Sequence, residues 1–239
     1  MSDNGQKVAI ITGGSQGIGA SLVAAYRRQG WSVVANARTM KPAEDPDVLT
    51  VEGDITDPAT ADRIISGALE RFGRIDTLVN NAGVYISKPF TDYTADDYAL
   101  VTGVNLGGFF WLTQRVIAEM LKRHGGHVVS ISATLAEVAN SAVPEVLAAL
   151  TKGGLAAATR SLAVEYASRG IRVNAVSPGI IQTSMHPAES YQGLGDRLLP
   201  PLGRVGQVSD VVNGILFLEA SPYITGEILH IDGGQIAGH

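Results

Sequence analysis

"KVAIITGGSQGIGASLVAAYRRQG", residues 7–30, decides how this chain folds. Residues 7–12 form a short apolar run, rich in β-branched side chains and without a polar face. Such a run reads as a strand buried on both sides of a parallel sheet. A helical pattern covers 18–29 and stops at Gly30, a natural C-cap. Between them Gly13, Gly17 and Gly19 let the backbone turn tightly and let a pyrophosphate approach. The helix that follows offers free N–H groups and the positive end of its dipole. Ser15, Gln16 and Ile18 complete this loop. A glycine turn can be purely structural, but its place directly after a buried strand favours a nucleotide site.

The same alternation continues outward. "WSVVAN" (31–36), "VLTVEG" (48–53), "DTLVN" (76–80), "HVVSIS" (127–132), "IRVNAV" (171–176) and "EILHID" (227–232) read as strands. Helices are expected over 59–72 after Pro58, from Thr94 to His124 with Thr94 and Asp97 spaced as a capping box, over 145–168, and over 209–219. Strand–helix alternation predicts βαβ units in a doubly wound α/β fold. Residues 37–47 hold two prolines and many polar groups, so that crossover reads as a bare loop. No repeat or linker divides the chain, and 1–239 reads as one domain.

Composition narrows the function. The net charge of −5 argues against nucleic-acid or anionic-membrane partners. With no cysteine, thiolate catalysis, disulfides and cysteine-held metals are excluded; no metal site is expected. No apolar run reaches a membrane span, and the N-terminus has no signal-peptide pattern, so a cytoplasmic protein is expected. Only 17% of residues are charged, which suggests that other subunits cover part of the surface.

The end of the second strand chooses the cofactor. A carboxylate there would bond the ribose 2′-OH and repel a 2′-phosphate. Ala37 and Arg38 stand there instead. Guanidinium is a natural partner of a phosphate dianion, so NADP is favoured over NAD.

With these residues placed, the chain resembles the short-chain dehydrogenase/reductase family along nearly its whole length. "TGGSQGIG" (12–19) matches the cofactor loop, and "GDI" (53–55) the acidic turn, with Asp54 and Ile55 at the adenine. "NNAG" (80–83) supplies Asn81, Ala82 and Gly83. "VNLGG" (104–108) carries Asn105 at the active-site asparagine. "SPGIIQT" (177–183) brings Pro178, Gly179, Ile181 and Thr183 to the nicotinamide, and "IDGG" (231–234) closes the last strand. The resemblance implies a Rossmann-type, mostly parallel seven-stranded sheet with helices on both faces. It also implies a homotetramer packed through the two long helices, a small carbonyl or alcohol substrate, and a substrate lid over 186–204. Met185, Tyr191, Leu194 and Leu198 are candidates for its apolar lining.

The family's chemistry needs a tyrosine as proton donor, a lysine four residues on, a serine at the substrate oxygen and the asparagine. Lys152 and Asn105 are present, but Ala148 stands at the tyrosine position and Ala133 at the serine position. Ser132 and Thr134 flank Ala133, and Ser132 is taken as the candidate hydroxyl. Lys152 is expected to hold the nicotinamide ribose. A positioned general acid contributes about 10²–10⁴ in rate, so its loss weakens catalysis without ending it. Three substitutes are open: a water beside Lys152, His186, and Glu145 two helical turns before Lys152. Tyr166 lies 14 residues past Lys152 on the same helix, too far to serve. Two functions follow: an NADP-dependent oxidoreductase with an unusual donor, or a non-catalytic cofactor-binding scaffold or sensor.

Overall fold

The structure, a computed structural model, describes residues 5–141, 143–183 and 199–238. Seven strands form one sheet: β1 (Val8–Thr12), β2 (Ser32–Ala37), β3 (Val48–Glu52), β4 (Thr77–Asn80), β5 (Gly126–Ile131), β6 (Ile171–Pro178) and β9 (Ile228–Ile231). Their spatial order is β3-β2-β1-β4-β5-β6-β9, and every pairing is parallel. A separate two-stranded pair joins β7 (Ile181–Gln182) to β8 (Gly206–Gln207).

Side-chain alternation along β1 shows why the strands are apolar throughout. Val8 and Ile10 enter one core, with α2 (Pro58–Phe72), α4 (Phe109–Lys122) and α5 (Val146–Tyr166). Ala9 and Ile11 enter the opposite core, with α1 (Gly17–Arg28) and α6 (Val208–Ala220). Helices therefore cover both faces, as expected for a doubly wound sheet. Tyr166 packs at the edge of the first core, away from the cleft described below.

The crossover from β2 to β3 contains no helix, as its prolines predict. Arg27 from α1 ties it down instead, through Asp45 and Asp47 at 2.8 Å each. The expected helix from Thr94 to His124 is interrupted. It consists of α3 (Ala95–Thr102), a π-helical turn Gly103–Gly108, and α4. Thr94 and Asp97 do form the capping box. The wider turn falls on "GVNLGG", where glycines lower the resistance to an irregular helix. A Cβ on Gly108 would crowd Ile55 at 2.8 Å, and π-turns of this kind gather at functional positions. Here the turn carries Asn105.

Candidate cofactor and active site

In an open parallel sheet the ligand crevice lies at the strands' carboxyl ends, where the strand order reverses. Here that point lies between β1 and β4. Thr12, the last residue of β1, joins the two. Its Oγ1 accepts from the N–H groups of Asn81 at 3.0 Å and Ala82 at 2.9 Å. Asn81 in turn donates from Nδ2 to the carbonyls of Thr12 and Gly13, at 2.8 and 3.2 Å. The glycine loop and the segment after β4 are thus locked together.

Three glycines shape this cradle. Gly13 and Gly17 adopt positive φ of 66° and 56°. Gly19 has no room for a side chain, because a Cβ there would strike the carbonyl oxygen of Gly13.

A cleft of about 540 Å³ runs from this loop across the sheet edge. Gly13, Ser15, Gln16, Gly17 and Ile18 line it at the loop. Arg38, Asp54 and Ile55 line one end. Asn81, Ala82, Gly83, Ser132, Lys152, Pro178, Gly179, Ile181 and Thr183 line the rest. Of the residues expected at the site, Gly19 and Asn105 lie outside the lining. Gly19 packs under the loop, and Asn105 supports the cleft wall from behind. Asn36, Val84 and Tyr85, which no motif marks as site residues, also line it, as do Ala37 and Gly53 beside Arg38 and Asp54. Asn36 has a traceable reason: its Nδ2 donates to the carbonyls of Val51 and Gly53, fixing β2 against the end of β3.

Arg38 is exposed at the cleft and has no hydrogen-bond or ion-pair partner among the described residues. A guanidinium left free at the end of β2 suits a phosphate there.

At the other end, Lys152 Nζ donates to the carbonyl of Ile131 at 2.6 Å. Burial pulls its ammonium down to about 8. A Cβ on Gly83 would sit 3.4 Å from this Nζ. Ser132 Oγ donates to the Lys152 carbonyl at 3.1 Å, so this hydroxyl is tied to the helix backbone. Thr134 is turned away from the cleft and lies 3.4 Å from Gln235 Oε1. Ala148 is buried and does not line the cleft. His186 lies outside the described residues, as do Met185, Tyr191, Leu194, Leu198 and most of the expected lid.

Asn105 is fully engaged. Its Oδ1 accepts from the Val84 N–H at 2.9 Å, and its Nδ2 donates to the Val84 carbonyl at 3.0 Å and to Thr151 Oγ1 at 3.1 Å. The loop over Gly83 to Tyr85 is held in place by this one side chain. Tyr85 OH then meets Glu145 Oε2, at the head of α5, at 2.9 Å.

Sheet order and cleft together define the doubly wound dinucleotide-binding class. The family model described as enoyl-(acyl carrier protein) reductase matches residues 13–235. The 3-oxoacyl-[acyl-carrier-protein] reductase FabG of Salmonella typhimurium is 34% identical over 238 residues, covering 96% of this chain and 97% of that protein. A solved structure of ElxO with NADP bound superposes with a TM-score of 0.89 at 30% identity, over 98% of this chain and all of that one. The 3-ketoacyl-(acyl-carrier-protein) reductase of Brucella melitensis, complexed with NADH, gives 0.87 at 27% identity, over 98% of this chain and all of that one. The chain belongs to the short-chain dehydrogenase/reductase family of NAD(P)-dependent oxidoreductases.

Proposed function

We propose that this protein is an NADP(H)-dependent reductase of carbonyl compounds with a proton donor other than the family's tyrosine. One observation carries the reading. A single cleft joins an unpaired guanidinium, Arg38, to a lysine ammonium, Lys152, with a glycine cradle between them. The residues fit a dinucleotide: Gly13, Gly17 and Gly19 leave backbone room for a pyrophosphate, Arg38 would hold an adenosine phosphate, and Lys152 would hold the ribose. Bound there, a reduced nicotinamide would supply the hydride.

The chain's own residues hold and polarise the substrate. Lys152 places positive charge near the oxygen that becomes anionic, where a dry setting strengthens its effect. Asn105 keeps the cleft wall in register. Ser132 keeps the end of β5 against α5. The relatives named 3-oxoacyl-[acyl-carrier-protein] reductases support a 3-oxoacyl thioester as the first substrate class to test. Exposed Phe110 on α4 and Leu150 and Val164 on α5 support a homotetramer packed through those helices.

The buried methyl group at position 148 favours a second reading, a cofactor-binding scaffold without turnover. One experiment separates them. NADPH and NADH are titrated by fluorescence, then NADPH absorbance is followed with a short 3-oxoacyl thioester, ethyl acetoacetate and phenanthrenequinone. Tighter NADPH binding with absorbance loss supports the reductase. Binding without loss on all three supports the scaffold, and no binding of either nucleotide refutes both.

A further inference from the structure

Tyr85 is the one phenol lining the cleft among the described residues. Sequence spacing gave no reason to select it, since it sits on the loop after β4 and not on α5. Three observations bring it to the reacting end. It stands two residues past Gly83, which flanks Lys152 Nζ; two residues span at most about 7 Å of chain. Asn105 fixes the intervening Val84 at both its N–H and its carbonyl. Tyr85 OH lies 2.9 Å from Glu145 Oε2, and Glu145 is seven residues, or about 10 Å of helix, before Lys152. Glu145 itself is outside the cleft lining. The phenol therefore stands between the cleft and a half-buried carboxyl.

We propose that Tyr85, backed by Glu145, delivers the proton that Ala148 cannot; this rests on the reductase reading above. The steps balance. When the carbonyl carbon has received hydride, the C=O π pair rests on oxygen as an alkoxide. That oxygen takes the phenolic proton of Tyr85, completing the alcohol. The phenolate takes the proton held by Glu145, and the carboxylate recovers one from water. Tyr85 touches substrate and is the catalytic residue; Glu145 acts through it and is a positioning residue.

The surroundings suit these roles. Burial pushes the Glu145 carboxyl above its ordinary value. Burial is also the main cause that pushes Tyr85 up to about 12, so the phenol stays protonated. Ser87 and Tyr93 face the phenol from its own loop. Lys88 is occupied by Asp97 at 2.6 Å. From α5 come Glu145 and, deeper, Lys152. With Glu145 ionised, the phenolic hydrogen points at the carboxylate and away from the cleft. With Glu145 protonated, the carboxyl donates to the phenol oxygen and the phenolic hydrogen can turn to substrate. Turnover therefore falls as pH rises through the raised Glu145 value, and again near 8 as Lys152 loses its charge.

The test uses the full chain with NADPH and the three carbonyl probes named above. Tyr85→Phe keeps NADPH affinity and loses about 10²-fold or more in kcat. Glu145→Gln, which has no proton to pass to the phenolate, lowers kcat, loses the first fall in the pH profile and keeps the second. In the protein without nucleotide, the Tyr85 ring signal in NMR shifts as Glu145 titrates, and that shift disappears in Glu145→Gln. A Tyr85→Phe variant within threefold of the parent kcat, or an unchanged profile in Glu145→Gln, overturns the relay and leaves the reductase reading intact. A parent protein that binds NADPH and consumes it with none of the probes overturns both.

Discussion

Replacing Asn105 by Ala tests the support of the cleft wall. The substitution removes three hydrogen bonds: those from the Val84 N–H, to the Val84 carbonyl and to Thr151 Oγ1. Asn105 is only 2% exposed, so water cannot replace its amide without entering the core. At about 1 kcal/mol net for each bond, the loss is about 3 kcal/mol. For a chain of this size that lowers the melting temperature by about 6–12 °C. Thr151→Val removes one of the three together with the hydroxyl's own donation to the Leu147 and Ala148 carbonyls, and lowers it by less than Asn105→Ala does. The catalytic effect runs through Tyr85: once Val84 is released, the phenol no longer holds one position. Asn105→Ala therefore lowers kcat strongly in the parent and only weakly in Tyr85→Phe, where no phenolic proton remains to be misplaced. Thermal unfolding followed by circular dichroism and a double-mutant cycle in kcat measure both effects. A melting temperature within about 2 °C of the parent refutes the hydrogen-bond reasoning. Additive losses in the cycle refute the link to Tyr85.

Other outcomes follow from the same geometry. Arg38→Ala weakens NADPH binding by about 10- to 100-fold, the worth of a lost charge-assisted contact, and leaves NADH binding nearly unchanged; equal losses for both nucleotides in a fluorescence titration count against a phosphate at Arg38. Gly19→Ala forces a Cβ into the Gly13 carbonyl and abolishes NADPH binding, whereas Gly153→Ala, where a Cβ meets nothing, does not; calorimetry distinguishes them. Stability falls in acid because of a buried cluster at the far end of the sheet. Burial holds the His127 ring below its ordinary value, with Nδ1 3.0 Å from Glu219 Oε2. Burial alone would raise Glu219, but His127, Thr77 and Arg172 outweigh it and hold the carboxyl low. Each group therefore binds more protons unfolded than folded. The His127 contribution is lost as pH drops below about 6.5, and the Glu219 contribution at lower pH still. A melting temperature constant from pH 7 to pH 5 would refute this.

The parts legible in the sequence are those with local signals. Buried parallel strands need apolar residues at every position, so "KVAIIT" and its counterparts stand out without any knowledge of their partners. The glycine loop is legible because positive φ and close backbone approach leave few residue types to choose from. Arg38 and Lys152 are legible because their distance from recognisable motifs is short. What stays hidden depends on contacts between distant segments. Asn105 reaches Val84 across 21 residues and Thr151 across 46. Tyr85 meets Glu145 across 60. No periodicity encodes such a pairing. The π-turn is hidden for a related reason: "GVNLGG" fits inside a long helical pattern, and only the packing of Gly108 on Ile55 reveals the irregular geometry.

A proton source at Tyr85 in place of α5 would differ in the protonation state it holds at neutral pH. In the family arrangement a lysine one turn from the tyrosine lowers the phenol, so the group can both give and take a proton. At Tyr85 the neighbours act oppositely. Burial and the adjacent carboxyl keep the proton on the phenol, up to about 12. Lys152, at the same end of the cleft, is committed to the Ile131 carbonyl at 2.6 Å. A phenol so held donates readily to an alkoxide, whose affinity for protons is higher still. It does not readily become the phenolate that alcohol oxidation requires. On the relay proposed above, Ala148 does more than delete an acid: it leaves the proton to a phenol that gives it up only to a strongly basic oxygen.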